Sequence, residues 1–342
     1  MMEPERPPYG AAAVVAGLVL VGYIATLAPT VTLWDSGEFI TAAKVLGIPH
    51  PPGTPLFVLI AHVWADVVAV GAYAWRLNLM SACFSAAASG CFFLIIHRLL
   101  AGEAPRARFA GAATATLVSA FTFTVWQNSN ETEVYAVATF GVAAICWLAL
   151  RWRDARGTAE APRLLLLIVY LAALAVGNHL LTLLVGPALA FFIFRTLRVS
   201  PAADPNVRRA EWAEWGAVTA TWVVLVAIGL GSTPLFLAGG ILYAAAFGYA
   251  VRVRSWAFPL AALALGAVGV STYAFLLVRS GLQPILDEGD PETWSRLLAV
   301  IRREQYAPRR PFDQMFFLIG PDKPHRTARL FVDVLEPEQK GE

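Results

Sequence analysis

Two carboxylates, Asp35 and Glu38, stand three residues apart where a strongly apolar run ends, in the stretch TLWDSGEFITAAKVLGIPHPPGTPLF at 32–57. On a helix this spacing puts both on one side of a turn. Asp-x-x-Glu ahead of an amphipathic segment is a capping-box pattern, with Asp35 as the cap and Glu38 reaching back to its amide. A carboxylate at a membrane surface, partly stripped of water, is equally suited to act as a general base. A divalent metal between Asp35 and Glu38 is a third option, but two carboxylates alone establish no metal site. His50 follows in PHPPGTP, where consecutive prolines fix φ and remove donors, giving a stiff corner. That corner either faces solvent or walls a site, aiming the imidazole at a phosphate or a sugar hydroxyl.

Three further clusters hold polar groups in an apolar chain. WQNSNETEVYAV at 126–137 gathers Asn130, Glu131 and Glu133 with Gln127 and Asn128, as a polar hairpin between helices or as partners for sugar hydroxyls. Asn178 and His179 interrupt a long charge-free run, as packing residues or as site contacts. RREQYAPRRP at 302–311 offers Arg302, Arg303, Glu304 and Tyr306, with Arg309 and Arg310, either as solvated charge or for bidentate binding of a lipid phosphate. No G-x-G-x-x-G after a strand and no Walker A occur, so a nucleotide-bound donor on this face is not indicated.

These residues must be positioned by membrane helices. The 342-residue chain is 58% hydrophobic and 15% charged, where a soluble domain averages about a quarter charged. Charge-free runs at 11–28, 77–96, 109–126, 134–150, 164–194, 215–251 and 255–278 are long enough to cross a bilayer. Two exceed one helix and break at Gly177-Asn178-His179 and at Gly231-Ser232-Thr233-Pro234, so the reading is an all-α polytopic protein of about nine spans. The first run is too long for a signal-peptide core and is read as a retained span. Arginines cluster at 98–108, 151–163, 195–209 and 252–254, two crossings apart each time. By the positive-inside rule those loops are cytoplasmic and the polar clusters extracytoplasmic. The piece 55–70 contains His62 and Asp66, costly in lipid, and is read as an interfacial helix within a first extracytoplasmic loop at about 30–76. The domain plan is a transmembrane domain, 1–279, and a short extracytoplasmic polar tail, 280–342. Cys83, Cys91 and Cys146 lie inside apolar runs and read as small hydrophobes. A net charge of +2, with arginines dispersed in short loops, gives no reason to expect nucleic acid.

The layout of one span, an acidic loop, an interfacial helix PPGTPLFVLIAHVWA and then WRLNLMSACFSAAASGCFFLIIHRLL resembles the start of GT-C membrane glycosyltransferases. More narrowly, WDSGEFITAAKVLGIPHPPGTPLF, WQNSNETEVYAV, GNHLLTL and REQY resemble a family of GT-C-like proteins that includes an animal transmembrane O-mannosyltransferase. The resemblance covers roughly 18–311. It implies a GT-C-like bundle, a polyprenyl-phosphate sugar donor and an extracytoplasmic protein or glycan acceptor. It also implies Asp35 as catalytic base, with Glu38 in the same motif. Relatives continue with further spans or a larger soluble region, so the short tail reads as a departure from the pattern. The expected function is inverting transfer of a sugar, mannose by resemblance, to a protein hydroxyl at the extracytoplasmic face of a bacterial inner membrane or an endoplasmic-reticulum equivalent. The rival expectations are a transporter or flippase, and an inactive GT-C-like scaffold that binds lipid.

Overall fold

The computed structural model describes residues 6–306, and its first compact unit ends at Arg303. Every regular element among the described residues is helical, as runs of apolar residues in lipid require when each backbone donor must be satisfied within its own segment. The helices are α1 Tyr9–Ala25, α2 Ser36–Val45, α3 Pro55–Val67, α4 Tyr73–Leu99, α5 Pro105–Ala120, α6 Phe123–Ser129 and α7 Val134–Asp154. They continue with α8 Glu160–Val176, α9 Gly186–Val199, α10 Pro205–Gly229, α11 Thr233–Arg252, α12 Ala257–Val270, α13 Ala274–Ser280 and α14 Trp294–Arg302.

Both over-long runs are helix pairs, parted at Gly177–His179 and at the turn between α10 and α11. Six segments are long and apolar enough to cross a bilayer, and a seventh results if α5 and α6, bent by 70°, form one span. The expected nine is left unconfirmed, because α1 and α8 have only 17 residues each. At 1.5 Å per residue such helices run about 26 Å, at the lower limit for a hydrocarbon core about 30 Å thick. α3, with 13 residues, is shorter still and packs against α2 and α4. His62 on it binds the Ala43 carbonyl through Nδ1 at 2.8 Å, and Asp66 is largely exposed. That is the behaviour expected of a helix that does not span.

The main core lies among α7, α8, α9, α10 and α12, around Trp152, Ile168, Ile193 and Trp222. A second cluster under the acidic loop joins Phe39 of α2, Phe57 of α3 and Leu77 and Met80 of α4. It ties the short helices that carry the candidate site residues to the long helix α4.

Candidate functional site

α2 begins at the predicted place, but the capping box does not form. Asp35 occupies the N-cap position with φ −80° and ψ −4°, and its side chain makes no capping bond. A capping side chain needs an extended backbone at that residue to turn back on the first turn. Glu38 instead points away to the proline corner. Its Oε1 accepts the His50 amide at 2.6 Å, and its Oε2 lies 2.7 Å from His50 Nδ1. Burial opposes ionisation of Glu38, yet the His50 side-chain and backbone hydrogen bonds bring its pKa below the ordinary value. The Glu38 hydrogen bond raises the His50 pKa against its own burial, with the charges of Asp35 and Glu288 adding to it. The result is an ion pair between half-buried groups, with the His50 ring tilted against Phe39 at 5.4 Å. Asp35 is left exposed, with no hydrogen bond or ion pair to its carboxylate among the described residues. It follows Trp34, which is 86% exposed on a left-handed backbone.

Residues far apart in the chain hold this loop. Asn78, fully buried in α4, donates to the carbonyls of Ala28 and Thr30 and accepts from the Thr132 hydroxyl at 2.6 Å. The Ala28 amide bonds the Asn130 carbonyl, and the Leu56 amide at the start of α3 bonds that of Gly177. Arg279 donates to the last carbonyls of α2, at Leu46 and Val45, which helix geometry leaves without partners. Beyond it, Ile48 bridges to 286–288 through two backbone bonds. Gly47 permits that approach, since a Cβ there would lie 2.8 Å from Leu286. Neither Asn78 nor Arg279 stood out in the sequence. The one available signal was an amide alone in the run WRLNLM and a basic residue closing the last apolar run.

The other predicted residues divide. Glu133 precedes α7, is 8% exposed, and carries a pKa raised to about 7, by burial first and then by the charges of Asp35 and Glu131. His179 precedes a 3-10 turn, accepts the Leu181 amide through Nδ1, and meets the Tyr135 ring edge-on at 5.2 Å. Burial lowers its pKa, and the charge of Arg303 lowers it further. Asp35, Glu38, His50, Glu131, Glu133, His179 and Arg303 therefore gather at one end of the bundle. Asn130 is there too, but its amide is engaged with Thr26 and the Trp126 carbonyl. Asn178 donates to the Val134 carbonyl. Arg302 binds Gly231 and Thr233 at the α10–α11 turn, and Arg303 reaches the Gly229 carbonyl. Glu304 and Tyr306 fall in the other unit, 304–342, and are not assigned to the site.

Asp35, Glu38 and His50 each offer a ligand atom within 4.8 Å of the others, a donor set suited to a divalent transition metal. As arranged, both Glu38 oxygens are engaged by His50, so an ion would have to replace the Nδ1 proton. Two grooves run into the bundle. One, of about 800 Å³ between α10, α11 and α12, is almost wholly apolar and includes Tyr273 and, on α14, Trp294. The other, of about 580 Å³ between α4, α5, α6 and α7, is rich in hydroxyl groups.

Residues 35–201 match the family described as protein O-mannosyl-transferase TMEM260 N-terminal domain. Protein O-mannosyl-transferase TMEM260 of Mus musculus is 31% identical over 190 residues, which is 55% of this chain and 26% of the relative. The Dictyostelium discoideum protein of the same name is 26% identical over 190 residues, 50% of this chain and 22% of the relative. The matched part thus spans about a quarter of the length of these relatives. No solved structure matches the chain.

Proposed function

From the match of residues 35–201 to that N-terminal family, we propose that this chain is the membrane end of a glycosyltransferase. In this reading it moves mannose from a polyprenyl-phosphate donor to a Ser or Thr hydroxyl of an extracytoplasmic protein. The observation that carries it is the exposed carboxylate of Asp35, without a partner among the described residues, beside an ion pair that already occupies Glu38.

Asp35 takes the proton of the acceptor hydroxyl as its oxygen attacks the anomeric carbon. The bond from that carbon to the phosphate oxygen breaks on the opposite face, its electron pair leaves with the lipid phosphate, and the configuration inverts. Phosphate is a competent leaving group, so the remaining work is positioning and stabilising departing charge. His50 and Arg303 are our candidates for that role, with His179 near Arg303. The apolar groove between α10, α11 and α12 is suited to a long isoprenoid chain. Trp294 and Leu297 of α14 line that groove, and the same helix ends at Arg302, which binds the α10–α11 turn, so α14 joins the groove to that turn. The arginine-rich loops at the other end favour a cytoplasmic side there and an extracytoplasmic site here.

The test is transfer of mannose from a polyprenyl-phosphate donor by membranes holding Asp35→Asn protein. Loss of transfer with the fold intact supports the base assignment, and full activity overturns it. Sidedness is read from Leu33→Cys, 82% exposed, with an impermeant thiol reagent. Labelling from the cytoplasm would sink the extracytoplasmic site.

A second reading is favoured by the proximity of Asp35, Glu38 and His50, which would hold a divalent ion able to neutralise charge on the phosphate. Chelator-sensitive transfer restored by one particular metal supports it, and transfer indifferent to chelation excludes it.

A further inference from the structure

We infer that a groove between α10 and α11, at the arginine end of the bundle, binds an anionic glycerophospholipid with its phosphate among Arg208, Arg209 and Arg252. The groove holds about 450 Å³, within the ~300–1,000 Å³ usual for ligand sites. Trp212, Trp215 and Thr219 line it from α10, and Leu242, Ala246 and Tyr249 from α11. The two helices run antiparallel in a register that sets Gly216 against Ala246 and Gly239 against Val224. That register brings Arg208 and Arg209 opposite Arg254 and Val253, beside Arg252 at the end of α11. The arginines also continue the lining faces. Arg208 and Arg209 precede Trp212 by four and three residues, and Arg252 follows Tyr249 by three, spacings that share a helix face. Cβ atoms tilt toward the N-terminus of their helix, so the Arg252 side chain sets out toward Tyr249 and the groove.

Charge selects the occupant. Arg208, Arg209 and Arg252 are exposed, and their side chains have no hydrogen bond or ion pair among the described residues. The acids nearby are spent or turned away. Glu211 is held by Arg156, Asp204 caps α10 through the Asn206 amide, and Glu214 falls on the far face of α10 by the helical period. The lining beyond the arginines is mainly apolar, with polar tips at the arginine end. The Trp212 indole N–H and the Tyr249 hydroxyl line that end, neither with a partner among the described residues. The wall is preformed: Trp212 meets Trp215 and Phe194 edge-on at 5.5 and 5.7 Å, and Trp215 donates to the Ala190 carbonyl. Arginine donors pair with phosphate oxygens, and an acyl chain suits the apolar lining. α11 is the least covered of the six candidate spans, with 11% of its most apolar stretch buried, so the groove opens away from the bundle. A zwitterionic headgroup would add a cation to the arginines. A second copy inserted the same way up would set arginine against arginine. The polyprenyl-phosphate donor proposed above is expected at the opposite end, by Asp35. The inference makes no use of Asp35 or of sugar transfer, so either can fail without the other.

The experiment is native mass spectrometry of the purified full chain, titrated with dioleoyl phosphatidylglycerol, dioleoyl phosphatidylcholine and inorganic phosphate. Wild-type protein is expected to retain one phosphatidylglycerol with a preference of about a hundredfold over phosphatidylcholine, about fivefold for each arginine. Arg208→Gln combined with Arg209→Gln and Arg252→Gln should abolish that preference at unchanged helical content, since all three side chains are exposed. Arg106→Gln combined with Arg163→Gln removes exposed charge from α5 and α8 at the same end, outside the groove, and should leave the preference unchanged. Equal retention of the two lipids by the wild type would overturn the inference. So would a preference that survives the triple substitution, or one lost equally in the control pair. Displacement of the lipid by equimolar inorganic phosphate or polyprenyl phosphate would overturn it too, as would a dimer retained in place of lipid.

Discussion

At one end of the bundle, arginines meet carboxylates in forked pairs; at the other, no arginine pairs with Asp35, Glu38 or Glu133 among the described residues. Arg98 grips Asp154 through Nε and Nη2 at 3.0 and 2.8 Å, and Arg156 grips Glu211 likewise at 2.8 and 2.7 Å. The second pair is almost out of water, with side chains 13% and 10% exposed. Opposite, Asp35 and Glu133 share a region whose nearest neutralised acid, Glu38, is held by a histidine. Charge is cancelled where helices only need joining. Around Asp35 and Glu133 the loop is held instead by backbone carbonyls, by Asn78 and by Arg279, whose guanidinium donates to carbonyls and not to those carboxylates.

The sharpest way to break this contrast is Asp35→Asn. Transfer should fall by about 10²–10⁴, the range for a lost general base, with thermal stability unchanged. A comparable loss on neutralising Asp154 would mean that the two ends do not differ in kind. At the arginine end the effect should be structural. Glu211→Gln, which leaves Arg156 buried without its anion, should cost about 3–5 kcal/mol in detergent unfolding, while pairing it with Arg156→Met should recover much of that. A smaller effect belongs to Glu133. Its pKa of about 7 lies above the ordinary carboxylate value, so between those two pH values the folded protein holds a proton that the unfolded chain releases. Wild-type stability should therefore fall as pH rises from about 4.5 through about 7, by no more than about 3 kcal/mol, and Glu133→Gln should flatten that slope. The smallest is the His50–Glu38 pair. With the His50 pKa raised, its contribution is complete below about 6.5 and is lost as pH climbs through the raised value. Glu38→Gln should remove this alkaline loss and shift the alkaline limb of the transfer profile to lower pH.

Much of the fold was legible in the sequence because hydropathy is a local property. Each long apolar run had to become helix, and the interruptions at Gly177 and Gly231 had to be turns. The number of crossings was less legible, since α1 and α8 stop at 17 residues where caps and neighbours decide, and no apolar average records that. Asp35 and Glu38 could be found by type and spacing. Their division of labour could not, because the capping box was the cheaper local solution and only the folded proline corner supplied a competing donor.

The sequence by itself determined the solvent this protein lives in, the helices that solvent demands, the end at which the arginines lie, and the two carboxylates after the first run. Tertiary structure alone decided which carboxylate is free. His50 takes Glu38 across twelve residues, Asn78 fixes the loop from about fifty residues away, and Arg279 closes α2 from 233. Hydrogen-bond partners so distant in the chain are chosen by the packing of helices against one another. Burial, which lifts Glu133 and leaves Asp35 in water, exists only once that packing is complete.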